Sequence, residues 1–218
     1  MDWGVISRNI YFLLGGLGLT FELAFISLAG GLLLGIFLGL ARVSSIRWIN
    51  LPATLYVNFF RSQPLILIIF WFYFLIPFIL GRPLGDFLSA VIAFIIFEAS
   101  YFAEIVRAGI GSIHKEQVMA GYSTGLSYFW TMRHIVIPQA LRNMVPSLVT
   151  QCVIIFQDTS LAYVIGLKEF LRRTALIDAS QFRSIELYTF AAIVYLVFCL
   201  AGSMASRRLE RKRGLERR

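Results

Sequence analysis

Four carboxylate residues lie within apolar stretches long enough to cross a bilayer: Glu22, Glu98, Glu104 and Asp158. A charge at the centre of a membrane helix costs roughly 2.5–3.5 kcal/mol, so such a group normally faces the inside of a helix bundle or a water-filled cavity. A carboxylate there can bind a passing ammonium group or pair with a cation of the protein. For Glu98 and Asp158 both roles stay open. Glu104 lies three residues before Arg107, a spacing that predicts an ion pair on one helix face.

The side chains that enzymes use for nucleophilic or metal chemistry are scarce. Two histidines, His114 and His134, lie in one polar segment, whereas Cys152 and Cys199 lie in apolar runs and suit packing. The sequence has no His-Glu-x-x-His pattern and no Gly-x-x-x-x-Gly-Lys-Ser/Thr loop for the phosphates of ATP. These absences disfavour a membrane-embedded enzyme. They also predict that the chain holds no metal and does not hydrolyse ATP itself.

The composition indicates a membrane protein. Hydrophobic residues make up 58% of the 218-residue chain and charged residues only 15%, against about 25% charged residues in soluble domains. A soluble enzyme and a disordered chain are therefore both disfavoured. The net charge of +8 is typical of the basic residues that orient membrane proteins, so nucleic acid is not an expected partner.

Stretches without charge locate the membrane helices, because a helix needs about 20 mostly apolar residues to cross the hydrocarbon layer. They predict an all-α protein with five transmembrane helices in a single domain over residues 1–218. The predicted spans cover about residues 10–41, 55–81, 87–106, 142–166 and 186–206. Pro64 and Pro146 fall near the starts of two spans, where each predicts either a kink or a break in the helix.

The basic residues predict the orientation of these spans. With the C-terminus in the cytoplasm, fourteen of the 20 Lys and Arg residues lie on the cytoplasmic side and six outside. The N-terminus is then outside. Residues 107–141 form a cytoplasmic loop, and 168–186 form a charged outer segment. A loop as long as 107–141 is usually functional.

Three glycines recur every fourth residue in the first span: Gly31, Gly35 and Gly39. Glycines at this spacing lie on one helix face and let a second backbone approach closely in lipid, where packing drives helix association. We therefore expect this face to pack against another helix of the bundle, without a binding role of its own.

The cytoplasmic loop is predicted to hold two short helices around Gly125. Val118 and Tyr122 are four residues apart and could share an apolar face, and glycine permits the sharp turn that follows. Pro138 suits the first turn of the helix that leads into the fourth span. The apolar face favours either docking on a partner protein or a position flat in the membrane interface.

The same loop resembles the cytoplasmic signature of permease subunits of binding-protein-dependent ABC importers. That signature reads Glu-Ala-Ala, three residues, Gly, nine residues and Ile-x-Leu-Pro. Ala120, Gly125, Ile135 and Pro138 match it, and Met119, Gly121 and Ile137 stand in place of the glutamate, the second alanine and the leucine. The second half of the signature is therefore intact and the first half is degenerate.

Three further stretches, in the same order along the chain, resemble the polar amino acid permeases of these importers. Residues 60–65 are similar to their Phe-Arg-x-x-Pro-Leu, and residues 103–107 to their Ala-Glu-x-x-Arg. Residues 158–161 match their Asp-Thr-Ser-Leu, with Gln157 in place of a preceding lysine. The resemblance spans residues 10–205. The runs at 97–101 and 156–161 look most like glutamate/aspartate import permeases, with glutamine, histidine or another polar amino acid as the alternative.

The resemblance implies a MetI-like type I importer fold in the bacterial inner membrane and ATP-driven alternating access. ATP and Mg are expected on two separate ATP-binding subunits, and no cofactor is expected in this chain. The other implied partners are a second permease subunit, identical or related, and an extracytoplasmic amino acid binding protein that segment 168–186 could contact. An ion-driven secondary transporter is a remote alternative, because such folds often contain internal repeats and none is visible here.

Two sets of candidate residues follow, one from the polar residues on facing spans and one from the resemblance of the cytoplasmic loop. The expected substrate pathway contains Arg61, Glu98, Gln157, Asp158, Thr159 and Ser160. The expected ATPase-coupling residues are Met119, Ala120, Gly121, Tyr122, Gly125, Ile135 and Pro138. Asp158 could meet a substrate ammonium group, whereas Arg61 or the polar groups of 157–160 could meet a carboxylate. Whether the passage holds a specific binding site stays open.

Overall fold

The computed structural model describes residues 2–212, which form helices and connecting turns with no β-strand among them. The first helices are α1 Gly4–Arg8, α2 Ile10–Val43, α3 Arg47–Arg61, α4 Leu65–Phe70, α5 Ile76–Leu80 and α6 Asp86–Gly111. The remaining helices are α7 Lys115–Ser123, α8 Tyr128–Thr131, α9 Ile137–Asp158, α10 Phe170–Gln181 and α11 Ser184–Lys212. The predicted all-α class is confirmed.

Four helices in the described part of the chain are long and apolar enough to cross a membrane. They are α2, α6, the continuous helical stretch Tyr128–Ile165 and residues Ser184–Arg208 of α11. The stretch Tyr128–Ile165 joins α8 to α9 through a π-helical turn at Met132–Val136 and ends in a 3₁₀ helix at Thr159–Ile165. A fifth candidate is a bent pair formed by Arg47–Arg61 and Leu65–Leu80.

The second predicted span differs from a continuous helix over 55–81. It consists of α3, which begins at Arg47, and a second helical stretch that meets α3 at 103° across residues 62–64. Pro64 has extended backbone angles (φ −65°, ψ 135°) and starts the second helix. Proline disfavours helical angles in the residue before it, so the chain can turn here. Of the two outcomes left open for Pro64, the break is the one observed.

α2 and α6 pack against each other in parallel through the three glycines of the first span. A Cβ atom on Gly31 would lie 2.9 Å from Glu98 Cβ, and one on Gly39 would lie 2.9 Å from the Ala103 carbonyl oxygen. Gly35 faces Phe102 and the backbone of Ala99 between them. The close packing predicted from the four-residue spacing is confirmed, and it places Glu98 at the centre of the helix pair.

The charged segment 168–186 contains α10, which packs against α2 and α11. The Phe170 N–H donates to Thr20 Oγ1 of α2 at 3.2 Å, and Arg173 Nη1 donates to the Phe12 carbonyl oxygen at 2.8 Å. Phe170 also packs in an apolar cluster with Leu13 of α2 and Leu187 of α11. A charged segment between two spans is therefore part of the folded core rather than a free loop.

Candidate functional site

Glu98 is fully buried within the helix bundle. Its Oε2 accepts a hydrogen bond from Gln151 Nε2 of α9 at 2.7 Å, and its buried Oε1 has no hydrogen-bond partner. Gly31 makes room for the carboxylate-bearing side chain, since a Cβ there would contact it. A buried carboxyl group with a free acceptor oxygen is a group that a polar ligand can satisfy.

Three of the predicted pathway residues meet around Tyr101, one turn after Glu98 on α6. The Arg61 guanidinium carbon lies 5.4 Å from the centre of the Tyr101 ring. Glu98 lies one helical turn before Tyr101, and Asp158 lies within electrostatic range of both side chains. We call Arg61, Glu98, Tyr101 and Asp158 the Tyr101 group. It combines one cation with two carboxylates at membrane depth.

The other three predicted pathway residues are engaged in other hydrogen bonds. Gln157 is exposed and donates to Cys199 Sγ of α11 at 3.3 Å. Thr159 Oγ1 donates to the Phe156 carbonyl oxygen at 2.7 Å, and Ser160 Oγ donates to the Gln157 carbonyl oxygen at 2.8 Å. Consecutive residues on a helix point about 100° apart, so one contiguous motif cannot line a single face.

A second charged cluster lies on the C-terminal half of α6, centred on Glu104. Arg107 donates to both carboxylate oxygens, at 3.2 Å from Nε and 2.5 Å from Nη2, and confirms the predicted pair. Arg42 at the end of α2 also hydrogen-bonds to Glu104, and Arg61 Nη1 lies 3.5 Å from Oε2. We call these four residues the Glu104 cluster. It joins α2, α3 and α6 through one carboxylate.

Sequence analysis missed two residues of this site. Gln151 lies seven residues before Asp158, which is two helical turns, so both share one face of α9. Tyr101 lies three residues after Glu98, at the end of the run 97–101. A polar residue two turns from a membrane-depth carboxylate is the signal that would have identified Gln151.

The predicted coupling residues divide into an exposed set and a supporting set. On α7, Met119, Ala120 and Tyr122 are exposed, whereas Gly121 is buried. A Cβ on Gly121 would lie 2.8 Å from Ile135 Cδ1, so this glycine fixes α7 on the stretch before α9. The supporting set is half-buried and consists of Ile135 and Pro138.

Gly125 ends the α7 region with φ +81°, and a Cβ there would meet nothing within 4 Å. Its N–H donates to the Tyr122 carbonyl oxygen at 2.9 Å, which closes the turn. The positive φ, rather than crowding, is the reason for glycine at this position. Both the sharp turn and the short flanking helices predicted for the loop are present.

Residues 31–214 match the family described as binding-protein-dependent transport system inner membrane component. The chain belongs to this family. The permease is 38% identical to the glutamate/aspartate import permease GltK of Escherichia coli O157:H7, over 97% of each chain. It is 37% identical to the glutamine transport system permease GlnP of E. coli K12, also over 97% of each chain.

Solved structures agree with this assignment. One described as an amino acid ABC transporter with histidines is 30% identical, has a TM-score of 0.92 and covers 97% of the permease and 99% of its own chain. The MetNI methionine transporter in an inward-facing conformation shares the fold, with a TM-score of 0.71 at 18% identity. The MetI-like fold and the resemblance to polar amino acid permeases of ABC importers are thus confirmed. The permease is the membrane component and is not itself the ATPase.

The site offers groups for a charged organic ligand. Within residues 2–212, no group of three or more His, Cys, Asp or Glu side chains is placed to hold a metal ion. The Tyr101 group instead presents a guanidinium, a phenol and two carboxylates to one region. Such a set can bind a molecule that carries charges of both signs.

Proposed function

We propose that this permease carries a polar amino acid, with glutamate or aspartate as the first candidates, in an ATP-driven importer of the bacterial inner membrane. The Tyr101 group is the observation that carries the proposal. An α-amino acid brings an ammonium and a carboxylate that must both be satisfied once water is removed. The group supplies partners of both signs at membrane depth.

Within this group we assign the substrate ammonium to Asp158 and a substrate carboxylate to Arg61. Charge-assisted hydrogen bonds to these groups are shorter and about twice as strong as neutral ones. Gln151 donates to Glu98 at 2.7 Å, which leaves Glu98 Oε1 as a second acceptor for the ammonium. The hydroxyls of Thr159 and Ser160 already donate to backbone carbonyls, so they rank behind Arg61.

The exact substrate is the open part of the proposal. The motif runs at 97–101 and 156–161 favour glutamate and aspartate, whereas the similar identity to GlnP favours glutamine as the second candidate. Histidine or another polar amino acid follows. Uptake of labelled glutamate, competed by unlabelled glutamate, aspartate, glutamine, histidine and arginine, separates these candidates. Competition by acidic amino acids alone supports the first, and competition by glutamine alone would replace it.

The role of Asp158 is tested by Asp158→Asn in the assembled importer. The variant keeps the side-chain size and removes the charge, so we expect uptake to fall at least about tenfold while assembly and ATP hydrolysis persist. Asp86→Asn, at the start of α6, is the matched control: it keeps the side-chain oxygen that accepts from the Phe87 N–H and should transport normally. Full uptake by Asp158→Asn would remove this residue from the pathway.

We further propose that two ATP-binding subunits engage α7 from the cytoplasm and that a second permease subunit, identical or related, completes the passage. The exposed side chains of Met119 and Tyr122 would enter a groove on each ATPase, so that rigid-body movement of the ATPases reaches α6 and α9. In this arrangement the N-terminus and α10 face outward. The binding protein then delivers substrate near segment 168–186.

Coupling is tested by Gly125→Val against Gly111→Val. Both glycines face open space, but only Gly125 has a positive φ, so valine strains the backbone there alone. We expect Gly125→Val to separate ATP hydrolysis from uptake, with at least about a tenfold loss of transport per ATP. Gly111→Val should stay close to wild type. Equal transport by both variants would contradict coupling through this loop.

A further inference from the structure

The arginines of the Glu104 cluster are not held equally. Arg42 and Arg107 both hydrogen-bond to Glu104, so the carboxylate is satisfied by these two residues alone. Arg61 approaches Oε2 only to 3.5 Å, without a hydrogen bond, and its side chain is 39% exposed. The side chain of Arg42, by contrast, is only 10% exposed. Arg61 is therefore the cation that can leave the cluster most easily.

Arg61 is also the residue that links the two charged regions of the permease. It belongs to the Glu104 cluster and, through the Tyr101 ring at 5.4 Å, to the group that contains Glu98 and Asp158. It is the last residue of α3, directly before the 103° bend. A long, half-exposed side chain at this point can reach either region by changing rotamer.

The positive charges of the Glu104 cluster favour the binding of a second carboxylate beside Glu104. Three guanidinium groups surround the single carboxylate of Glu104, so the Glu104 cluster taken by itself carries a surplus of positive charge. A cavity of about 230 Å³, lined by Glu104, Ser112, Asn143 and Ser147, opens beside the cluster. An anionic group that arrives from the Tyr101 group would meet this surplus charge first at Arg61.

We propose that Glu104 is an internal stand-in for the carboxylate of the substrate. In the empty permease Arg61 rests against Glu104, and a bound substrate draws Arg61 to its own carboxylate. When Arg61 returns to Glu104, the substrate is released toward the cytoplasm. The proposal rests on the proposed function, because it needs a substrate that carries a carboxylate. Glu104 is thus a positioning residue that acts through Arg61.

A purely structural role is the alternative, because Glu104 ties α2 to α6 through Arg42. The two roles differ in how Glu104 and Arg61 depend on each other. If Glu104 competes with substrate for Arg61, its removal affects substrate binding only while Arg61 is present. If Glu104 only holds the helices together, its removal has the same effect with or without Arg61. A double-mutant cycle separates these outcomes.

The experiment measures binding of radiolabelled L-glutamate, and of L-glutamine as the second probe, to the purified permease–ATPase complex without the binding protein. Arg61→Gln should raise Kd about tenfold or more, because a charge-assisted bond is lost. Glu104→Gln should lower Kd about threefold to tenfold, because Arg61 is released for the substrate. In an Arg61→Gln background, Glu104→Gln should leave Kd unchanged.

Arg107→Gln provides a variant that keeps Glu104 and its bond to Arg42, in case Glu104→Gln fails to assemble. It leaves Glu104 with one partner fewer, so the carboxylate should hold Arg61 more firmly and raise Kd about threefold. The matched control is Arg133→Gln in the cytoplasmic loop, which should not change Kd. An effect of Arg107→Gln equal to that of Arg133→Gln would overturn the proposal.

The remaining outcomes are equally decisive. Equal effects of Glu104→Gln in both backgrounds, an unchanged Kd in Arg61→Gln, or no saturable binding of either probe to the wild-type complex would each overturn the proposal. These results differ from failure of the proposed function, in which the complete wild-type importer takes up none of the amino acids tested. Normal uptake with independent effects of Arg61 and Glu104 would remove only the stand-in role.

Discussion

Helices α10 and α7 are both short helices between spans, but they are held in opposite ways. At the start of α10 the fully buried Glu169 accepts hydrogen bonds from the N–H groups of Leu171 and Arg172, at 2.9 and 2.6 Å. On α7 the one buried residue is Gly121, and the larger side chains Met119 and Tyr122 are exposed.

This difference separates a helix that is packed into the fold from one whose apolar side chains stay exposed, as the proposed docking of α7 on an ATPase requires. The polar groups that begin α10 are satisfied inside the permease, so α10 adds to its stability. The exposed apolar side chains of α7 add little to stability and are free to bind elsewhere. Substitutions on α10 should therefore change the unfolding temperature, whereas substitutions on α7 should change assembly.

The largest effect on stability is expected from Gly16→Val, where α10 meets α2. A Cβ there would lie 3.0 Å from Phe170 Cα and 3.1 Å from the Glu169 carbonyl oxygen, so it meets backbone that cannot turn away. We expect a loss of about 1–3 kcal/mol, measured as a lower thermal midpoint of the purified permease. Gly18→Val, two residues away in open space, is the control. Equal midpoints for both variants would contradict the tight seating of α10.

A second effect concerns the pH dependence of stability. Burial raises the pKa of Glu169 from 4.5 to about 7, against the opposing hydrogen bonds from Leu171, Arg172 and Tyr195. The folded permease then keeps this proton at pH values where the unfolded chain has lost it. The contribution of Glu169 to stability should therefore be complete below about pH 4.5 and should be lost as pH rises toward about 7, by on the order of 2–3 kcal/mol.

Glu169→Gln removes this titration and should flatten the dependence of the thermal midpoint on pH between about 5 and 7. The same scan on Asp178→Asn, farther along α10, provides the control and should follow wild type. A slope that persists unchanged in Glu169→Gln would assign the pH dependence to another group.

The smallest effect on stability is expected from the double substitution Met119→Ser and Tyr122→Ser on α7. Both side chains are exposed, so the thermal midpoint of the isolated permease should change by less than the equivalent of about 0.5 kcal/mol. Recovery of the ATPase with the permease should nevertheless fall at least about tenfold. A large loss of stability with normal ATPase recovery would reverse the contrast with α10.

The sequence predicted the helices better than it predicted where they bend. Charge-free runs identify membrane helices because the cost of burying charge is large and local. Prolines are less informative, since Pro52 and Pro146 lie inside α3 and α9 while the chain breaks at Pro64. All three prolines have the same ring and the same missing N–H, so their own chemistry does not distinguish them. The packing of neighbouring helices selects which proline interrupts its helix, and no short-range pattern records that packing.

The candidate site was predictable residue by residue only in part. Resemblance located the motif at 157–160, but the turn from α-helix to 3₁₀ helix after Asp158 directs its side chains to different surroundings. Gln157 therefore contacts Cys199, whereas Asp158 belongs to the Tyr101 group. The pairing of Glu104 with Arg107 follows from local spacing. Its contacts with Arg42 and Arg61 come from other helices and need the folded chain.

The glycine face of α2 has a mechanical consequence. Gly31, Gly35 and Gly39 bring its backbone into contact with α6 over two full turns, with no long side chains between them that could slide or re-pack. The two helices should consequently move as a single rigid body. Any conformational change during a transport cycle must then occur in the parts that move relative to this rigid pair. The 103° bend after Arg61 is the nearest hinge.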